Sequence, residues 1–291
     1  MEELIDMHVH TYYSDGEYKP YELVKIAKAN NVITMALTDH DTVDGVRRLD
    51  RGSLKGITVY NGIEFGAKVS KGKMHILGYD YDINNKNFNK MMEVLKNNRI
   101  NSLLSTYVQL KNDTGINFTY GEIINIVNAK HNIGKPDLAL VLMKNNYVKS
   151  VREAFNKYLN PAYEKVRKYN KGVYPEECLN IIKEANGISV LAHPNSLKLN
   201  NRELEDKVKE LISMGLQGIE VYHPDLSEEE RKFYLHLANK YDLLISGGSD
   251  YHGPKIKPDI ELGHGTNNNI HITELSLVKE LERRHNNGIK L

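Results

Sequence analysis

The chain has 291 residues, with 39 Lys and Arg against 38 Asp and Glu and a formal net charge of +1. That balance removes any global electrostatic case for a long nucleic acid or a membrane surface as partner, and the length fits one large α/β domain or two smaller ones. One cysteine, Cys178, can form neither an internal disulfide nor a Cys-rich zinc site and suits a reducing cytoplasm; the opening residues lack signal-peptide character, and no apolar run reaches the ~18 residues of a membrane span.

The first element lies in residues 4–16. Leu4, Ile5, Met7 and Val9 alternate with Asp6, His8 and His10. Period 2 predicts a strand with one buried face and one face carrying two imidazoles that point the same way. Ser14-Asp15-Gly16 is turn chemistry and places the Asp15 carboxylate at the end of that strand. Residues 20–30 have helical spacing. A strand at 32–37 runs into Thr38-Asp39-His40-Asp41, and a short helix is expected at 43–49. A third strand at 57–60 leads into Asn61-Gly62-Ile63-Glu64-Phe65, and a fourth covers 74–79 with His75 in it.

Residues 86–170 differ in character. They read as helices at 88–110, 120–129, 136–145 and 151–158, with no convincing strand. They hold 14 basic and 6 acidic residues, so the net charge is +8 here and −7 in the remainder. Such asymmetry suggests division of labour. The boundaries predicted are a barrel from 1–85 and 171–291 and a basic helical insertion, 86–170, covering its site.

The β/α alternation then resumes. A helix at 175–185, with Cys178 on its buried side, precedes a strand at 188–192 that ends in His193-Pro194. A helix at 200–214 precedes a strand at 218–222, followed by His223. A helix at 227–240, with Ser227 as N-cap and Glu230 three residues on, precedes a strand from 243 that runs into Gly248-Ser249-Asp250-Tyr251-His252-Gly253. Residues 273–287 form a last helix. Seven short strands separated mostly by helices predict a parallel sheet, and polar residues at the end of each favour a closed barrel over an open sheet.

Those strand ends supply His8, His10, Asp15, His40, Glu64, His75, His193, Asp250 and His252, with His223 besides. Seven of the twelve histidines fall there. So many imidazoles and carboxylates exceed the needs of one ion and imply two or three, of Mn, Fe or Zn. Clustered divalent ions suit in-line displacement at phosphorus, which points to phosphoester hydrolysis, with the basic segment 86–170 supplying cations for substrate phosphates.

The motifs D-x-H-x-H-T-x-x-S-D-G, T-D-H-D, G-I-E, H-I-L-G-Y, A-H-P, E-V-x-H and G-S-D-x-H-G occur in this order. The sequence resembles the PHP (polymerase and histidinol phosphatase) family along the whole barrel. The resemblance implies a distorted (β/α)7 barrel with a trinuclear metal site and a helical insertion after the fourth strand. It is nearest to bacterial phosphoesterases that dephosphorylate nucleoside 3′,5′-bisphosphates and trim short RNA from its 5′ end. It implies one ion on His8, His10, Glu64 and Asp250, a second on Asp15, His40 and His252, and a third sharing Glu64 with His75 and His193. A metal-bridging hydroxide would be the nucleophile. Arg99 and Lys135 would grip substrate phosphates. Lys135 stands where relatives carry arginine, and a lysine cannot make the bidentate fork. His223 has no ligand role in that scheme and is left as a proton donor, a partner of bound water or a residue behind the ligands.

Three rival readings remain. One is histidinol-phosphate phosphatase, another activity of the same family. A second is a non-catalytic metal-binding PHP module, against which all nine expected ligands are present. The third is an amidohydrolase barrel, which commonly uses a carbamylated lysine, and no lysine stands at these strand ends.

Overall fold

The computed structural model describes residues 2–50, 52, 54–129 and 133–286. Seven strands form one sheet in chain order: β1 (Leu4–Val9), β2 (Val32–Leu37), β3 (Thr58–Ala67), β4 (Met74–Tyr79), β5 (Ile188–Ala192), β6 (Gly218–Tyr222) and β7 (Leu244–Gly247). The sheet curls into a distorted half-barrel. Its two edges are tied by the chain that follows β7, where Tyr251 O accepts from His10 N at 2.9 Å and Ile272 O accepts from Ile5 N at 2.8 Å.

The sheet is not all parallel, which corrects the expectation. β4 runs antiparallel to both β3 and β5. The cause is connection length: only residues 68–73 separate β3 from β4, and a parallel crossover needs a dozen residues or more. The reversal has a consequence for the site. His75 is the second residue of β4, and it pairs beside Gly66 and Ala192. It therefore stands at the same rim as the carboxyl ends of β3 and β5.

Two further expectations change. β3 is longer than predicted, pairing in parallel with β2 over its first half and antiparallel with β4 over its second. Glu64 therefore lies inside the strand, not past its end. Every residue of β1 is buried, on both faces. Strands covered by helices outside and by a packed interior inside have no wet face.

Helices cover the sheet. α1 (Pro20–Ala29) packs Leu23, Val24 and Ala27 against Leu4, Val32 and Leu37. A short α2 (Asp44–Arg47) follows β2. α8 (Pro175–Glu184), α9 (Asn201–Ser213) and α10 (Glu228–Lys240) bury one apolar cluster against Phe65, Ile76 and Ile219, with Cys178 fully inside it. α11 (Ser276–Asn286) sends Leu277, Val278 and Leu281 against Met7, Tyr79 and Val190. Residue 287 of the predicted last helix lies outside the described residues.

Between β4 and β5 come α3 (Lys86–Thr114), α4 (Tyr120–Ala129), α5 (Lys135–Lys144), α6 (Val151–Ala154) and α7 (Asn160–Val166). The Asn85 side chain caps α3, accepting from Asn87 N and Phe88 N. Gly115, at φ 73°, ends it in the left-handed conformation that costs glycine least. α6 and α7 are one rod joined by a π turn, Phe155–Leu159. Pro161 has no N–H to give the preceding turn, which accounts for the interruption. Leu103, Leu110, Leu138, Leu142 and Leu159 form an apolar cluster of their own among these helices. Among the described residues no helix is long and apolar enough to cross a membrane.

Candidate metal centre

Three buried carboxylates shape the rim without facing the cavity. Asp6, on β1, accepts from Ser249 N (2.9 Å), Ser249 Oγ (2.5 Å) and Gly263 N (2.8 Å), which ties β1 to the loops after β7. Asp39 accepts from Thr11 N and Thr11 Oγ1 at 2.7 Å and from Ser14 Oγ at 2.6 Å. It thereby folds the 11–16 turn and aims Asp15. A Cβ on Gly16 would lie 2.3 Å from His10 O, so only glycine fits there. A Cβ on Gly248 would lie 2.4 Å from His8 N, which lets the loop after β7 close on β1. Glu220, on β6, is the third such carboxylate.

The predicted ligands converge. Glu64 Oε2 lies 3.3 Å from His8 Nε2 and 3.1 Å from His10 Nε2, and Asp250 Oδ1 lies 3.1 Å from His10 Nε2. His252 Nε2 lies 3.3 Å from Asp15 Oδ1, with His10 Nδ1 at 3.6 Å and His40 Nε2 3.9 Å from Asp15 Oδ2. Glu64 Oε1 takes the other side, 2.7 Å from His75 Nδ1 and 2.9 Å from His193 Nε2. Three sets have ligand atoms all within 4.8 Å of one another: His8, His10, Glu64 and Asp250; His10, Asp15, His40 and His252; and His40, Glu64 and His75. Two sets differ from the grouping expected by resemblance: His10 joins the second, and His40 takes the place of His193 in the last, with His193 lying against Glu64 Oε1.

These atoms fit divalent cations. His8 Nε2, both His10 nitrogens, Asp15 Oδ1 and Glu64 Oε2 are buried with no hydrogen-bond partner. Leaving one such group unsatisfied costs about 1–3 kcal/mol, so a cluster of them demands a shared partner. The tautomers agree. His8 Nδ1 donates to Glu220 Oε1 at 2.9 Å. His193 Nδ1 donates at 3.2 Å to Ser196 Oγ, whose own proton goes to Lys73 O. His252 Nδ1 donates to Asp250 O at 2.8 Å. Each ring therefore turns an Nε2 lone pair inward. His223 is opposite: its Nδ1 accepts from Asp225 N at 3.1 Å, so Nε2 carries the proton, 3.5 Å from Asp250 Oδ2. Like His8 Nε2, His223 Nε2 is buried with no hydrogen-bond partner.

Electrostatics follow from the crowding. Burial alone would raise the Glu64 carboxyl, but His40, His75 and His8 hold it well below the usual carboxylate range. Burial would likewise raise the Asp15 carboxyl, but His252 and His40 hold it well below the usual carboxylate range. Burial depresses His10, but Asp250 and Glu64 bring it up to about 9. Asp41, Asp250 and His193 have φ of 52°, 52° and 23°, left-handed backbone held by the surrounding rim.

A family model described as the PHP domain matches residues 6–222. The chain belongs to the PHP family. It is 28% identical over 252 residues to a 3′,5′-nucleoside bisphosphate phosphatase of Chromobacterium violaceum, covering 86% of this chain and 87% of that one. It is 25% identical to a 5′-3′ exoribonuclease of Haemophilus influenzae, covering 86% and 90%. It is 28% identical to a phosphoribosyl 1,2-cyclic phosphate 1,2-diphosphodiesterase of Eggerthella lenta, covering 85% and 94%. A solved Bifidobacterium adolescentis structure, described as a metal-dependent phosphoesterase, superposes with a TM-score of 0.81 at 28% identity, covering 97% and 96%. This PHP protein is a metal-dependent phosphoesterase, a hydrolase of phosphoric esters.

The PHP centre opens into a cavity of about 590 Å³ between the rim and the inserted helices. Asp15, His40 and His75 of the centre line it, and so do the cations Lys73, Lys135 and Arg167. Arg99 is also in its wall, with Nη1 on Asp41 at 2.9 Å and Nε on Ile133 O at 3.1 Å. Lys135 Nζ sits over the Tyr163 ring at 4.2 Å and reaches Asn160 Oδ1 at 3.3 Å. Burial, then Lys73, lowers Lys135 to about 7. Lys257, absent from the sequence reading, bonds Asp250 Oδ2 from the loop after β7. Asp6, Asp39 and Glu220 were legible in principle, because each lies within three residues of a motif histidine. Nothing in the sequence separates such a carboxylate from a ligand.

Proposed function

We propose that this PHP protein removes a phosphate from a nucleotide-like substrate, a nucleoside 3′,5′-bisphosphate or a short 5′-phosphorylated RNA. The observation that carries the reading is one cavity lined both by Asp15, His40 and His75 of the metal centre and by the cations Lys73, Arg99, Lys135 and Arg167. The nucleotide phosphatase and exoribonuclease names of its relatives support the same substrate class.

In this reading His8, His10, Glu64 and Asp250 hold one divalent ion, and Asp15, His40 and His252 a second. Glu64, His75 and His193 hold a third. Mn, Fe and Zn all suit these donors. When bound, such ions supply Lewis-acid stabilisation of phosphoryl oxygens and acidify water. The remaining work belongs to the chain. Arg99, oriented by Asp41, and Lys135 hold the substrate's second phosphate. His223 Nε2–H gives its proton to the leaving oxygen, while Asp225 N holds the ring in that tautomer. The helices of 86–170 act as the substrate cap. The lone, buried Cys178 fits a cytoplasmic enzyme.

The test is a turnover panel of adenosine 3′,5′-bisphosphate, histidinol phosphate and p-nitrophenyl phosphate, with Mn²⁺, Fe²⁺ or Zn²⁺ added. Preferred turnover of the bisphosphate is expected. Rapid turnover of histidinol phosphate with none of the bisphosphate would overturn the reading.

A further inference from the structure

Residues 167–174 read Arg-Lys-Tyr-Asn-Lys-Gly-Val-Tyr, with cations and aromatics interleaved. The segment carries the chain from α7 back to the barrel, and it is fixed at several points. Lys68 N donates to Val173 O at 2.7 Å. Asn170 Nδ2 donates to Ser102 Oγ at 3.0 Å and Asn170 Oδ1 accepts from Ser105 Oγ at 2.9 Å, both on α3. Arg167 Nη2 donates to Gly72 O at 3.2 Å in the β3–β4 hairpin.

Two cavities meet at this segment. The first is the one facing the metal centre. The second, of about 570 Å³, opens between α3 and residues 171–177 and shares Lys68, Asn98 and Lys171 with the first. Its wall offers Met91 and Val94 of α3, with Lys90 beside them and Tyr174 at its edge. Tyr174 is 56% exposed and Val94 50%. Tyr169, in the same segment, is 75% exposed. An open groove lined by lysines against one acid, Glu177, with an aromatic ring left in solvent, is the chemistry of single-strand recognition: cations track the phosphates and a ring stacks a base of any identity.

We propose that the second cavity carries the continuing strand of a single-stranded oligonucleotide whose 5′-phosphorylated end lies in the first. Tyr174 stacks a base downstream of the reacting nucleotide, and Lys90 and Lys171 flank its backbone phosphates. This inference rests on the phosphoesterase reading of the site.

The test compares 5′-phosphorylated oligoadenylates of one, two, three and five nucleotides with adenosine 3′,5′-bisphosphate, on the Mn²⁺-loaded full chain. kcat/KM is expected to rise roughly tenfold from one nucleotide to three, with the gain shrinking as salt increases. Tyr174→Ala and Lys90→Glu should remove that gain and leave the bisphosphate unaffected, and Tyr174→Trp should keep it. Equal kcat/KM at all lengths, or equal losses on both substrates in Tyr174→Ala, would overturn the groove. Fluorescence anisotropy of a labelled 5′-phosphorylated pentanucleotide tests binding without turnover. Weaker binding by Tyr174→Ala supports the groove even where no phosphoester is hydrolysed, an outcome that would instead sink the phosphoesterase reading. Unchanged binding would overturn the groove.

Discussion

Glu220 holds His8 from behind: its Oε1 accepts the His8 Nδ1 proton at 2.9 Å, and both side chains are fully buried. Its other oxygen accepts from His193 N at 2.6 Å. One carboxylate thus fixes the tautomer of a candidate ligand on β1 and the backbone beside a second on β5. Glu220→Gln keeps the shape but offers one acceptor oxygen, so one of the two bonds is lost. Metal affinity should fall by about 10–100-fold, read by competition with a chelating dye, while the far-ultraviolet circular dichroism stays unchanged. Wild-type affinity would show that Glu220 serves packing alone.

In the proposed reading His223 is a proton donor and not a metal ligand. Asp225 N donates to its Nδ1, so Nε2 cannot offer a lone pair in the neutral ring. His223→Gln should lower kcat on a nucleotide substrate by about 10²–10³-fold, within the usual range for a lost general acid. On p-nitrophenyl phosphate, whose leaving group needs no proton, the loss should be much smaller. Metal content by mass spectrometry should match wild type. A fall in bound metal would instead make His223 a ligand.

The site was more legible in the sequence than the sheet that positions it. His8 and His10 could be read because period 2 puts them on one side, and Asp15 because a turn must follow. His75 belongs with the strand ends only because β4 runs backwards; in a parallel strand its second residue would sit at the far rim. Strand direction depends on loop length, and residues 68–73 carry no periodic signal. Glu220, Asp6 and Asp39 escaped because a carboxylate beside a ligand and one behind it look alike in sequence. Lys257 escaped because its approach to Asp250 depends on the path of the loop after β7, which no local pattern encodes.

Metal loading should stabilise the fold as well as activate it. The buried atoms of His8, His10, Asp15 and Glu64, which face one another without well-formed hydrogen bonds, gain shared ligand bonds when the ions are present. At a free Mn²⁺ concentration near 100 times Kd the gain is about 2.7 kcal/mol. For a domain of this size that corresponds to a rise in Tm of roughly 5 °C over the chelator-treated protein. Differential scanning fluorimetry across a metal titration measures it. Glu64→Gln, which touches two of the clustered sets, should shrink the shift. A Tm independent of metal would mean that the cluster is satisfied without ions.

If Lys135 holds the second phosphate as proposed, binding of a doubly phosphorylated substrate depends on pH. Burial and the nearby Lys73 place its pKa at about 7, so the ammonium is charged below that value and neutral above it. In that reading the second phosphate needs the charged form. KM for adenosine 3′,5′-bisphosphate, divided by KM for adenosine 5′-monophosphate, should stay level below pH 7 and climb above it, by at most about tenfold per pH unit. Taking the ratio cancels any pH effect of the metal centre common to both substrates. Lys135→Arg keeps its charge throughout this range, so its ratio should stay level to pH 9. A level ratio in the wild type would detach Lys135 from the second phosphate, and a slope that survives in Lys135→Arg would assign the titration to another group.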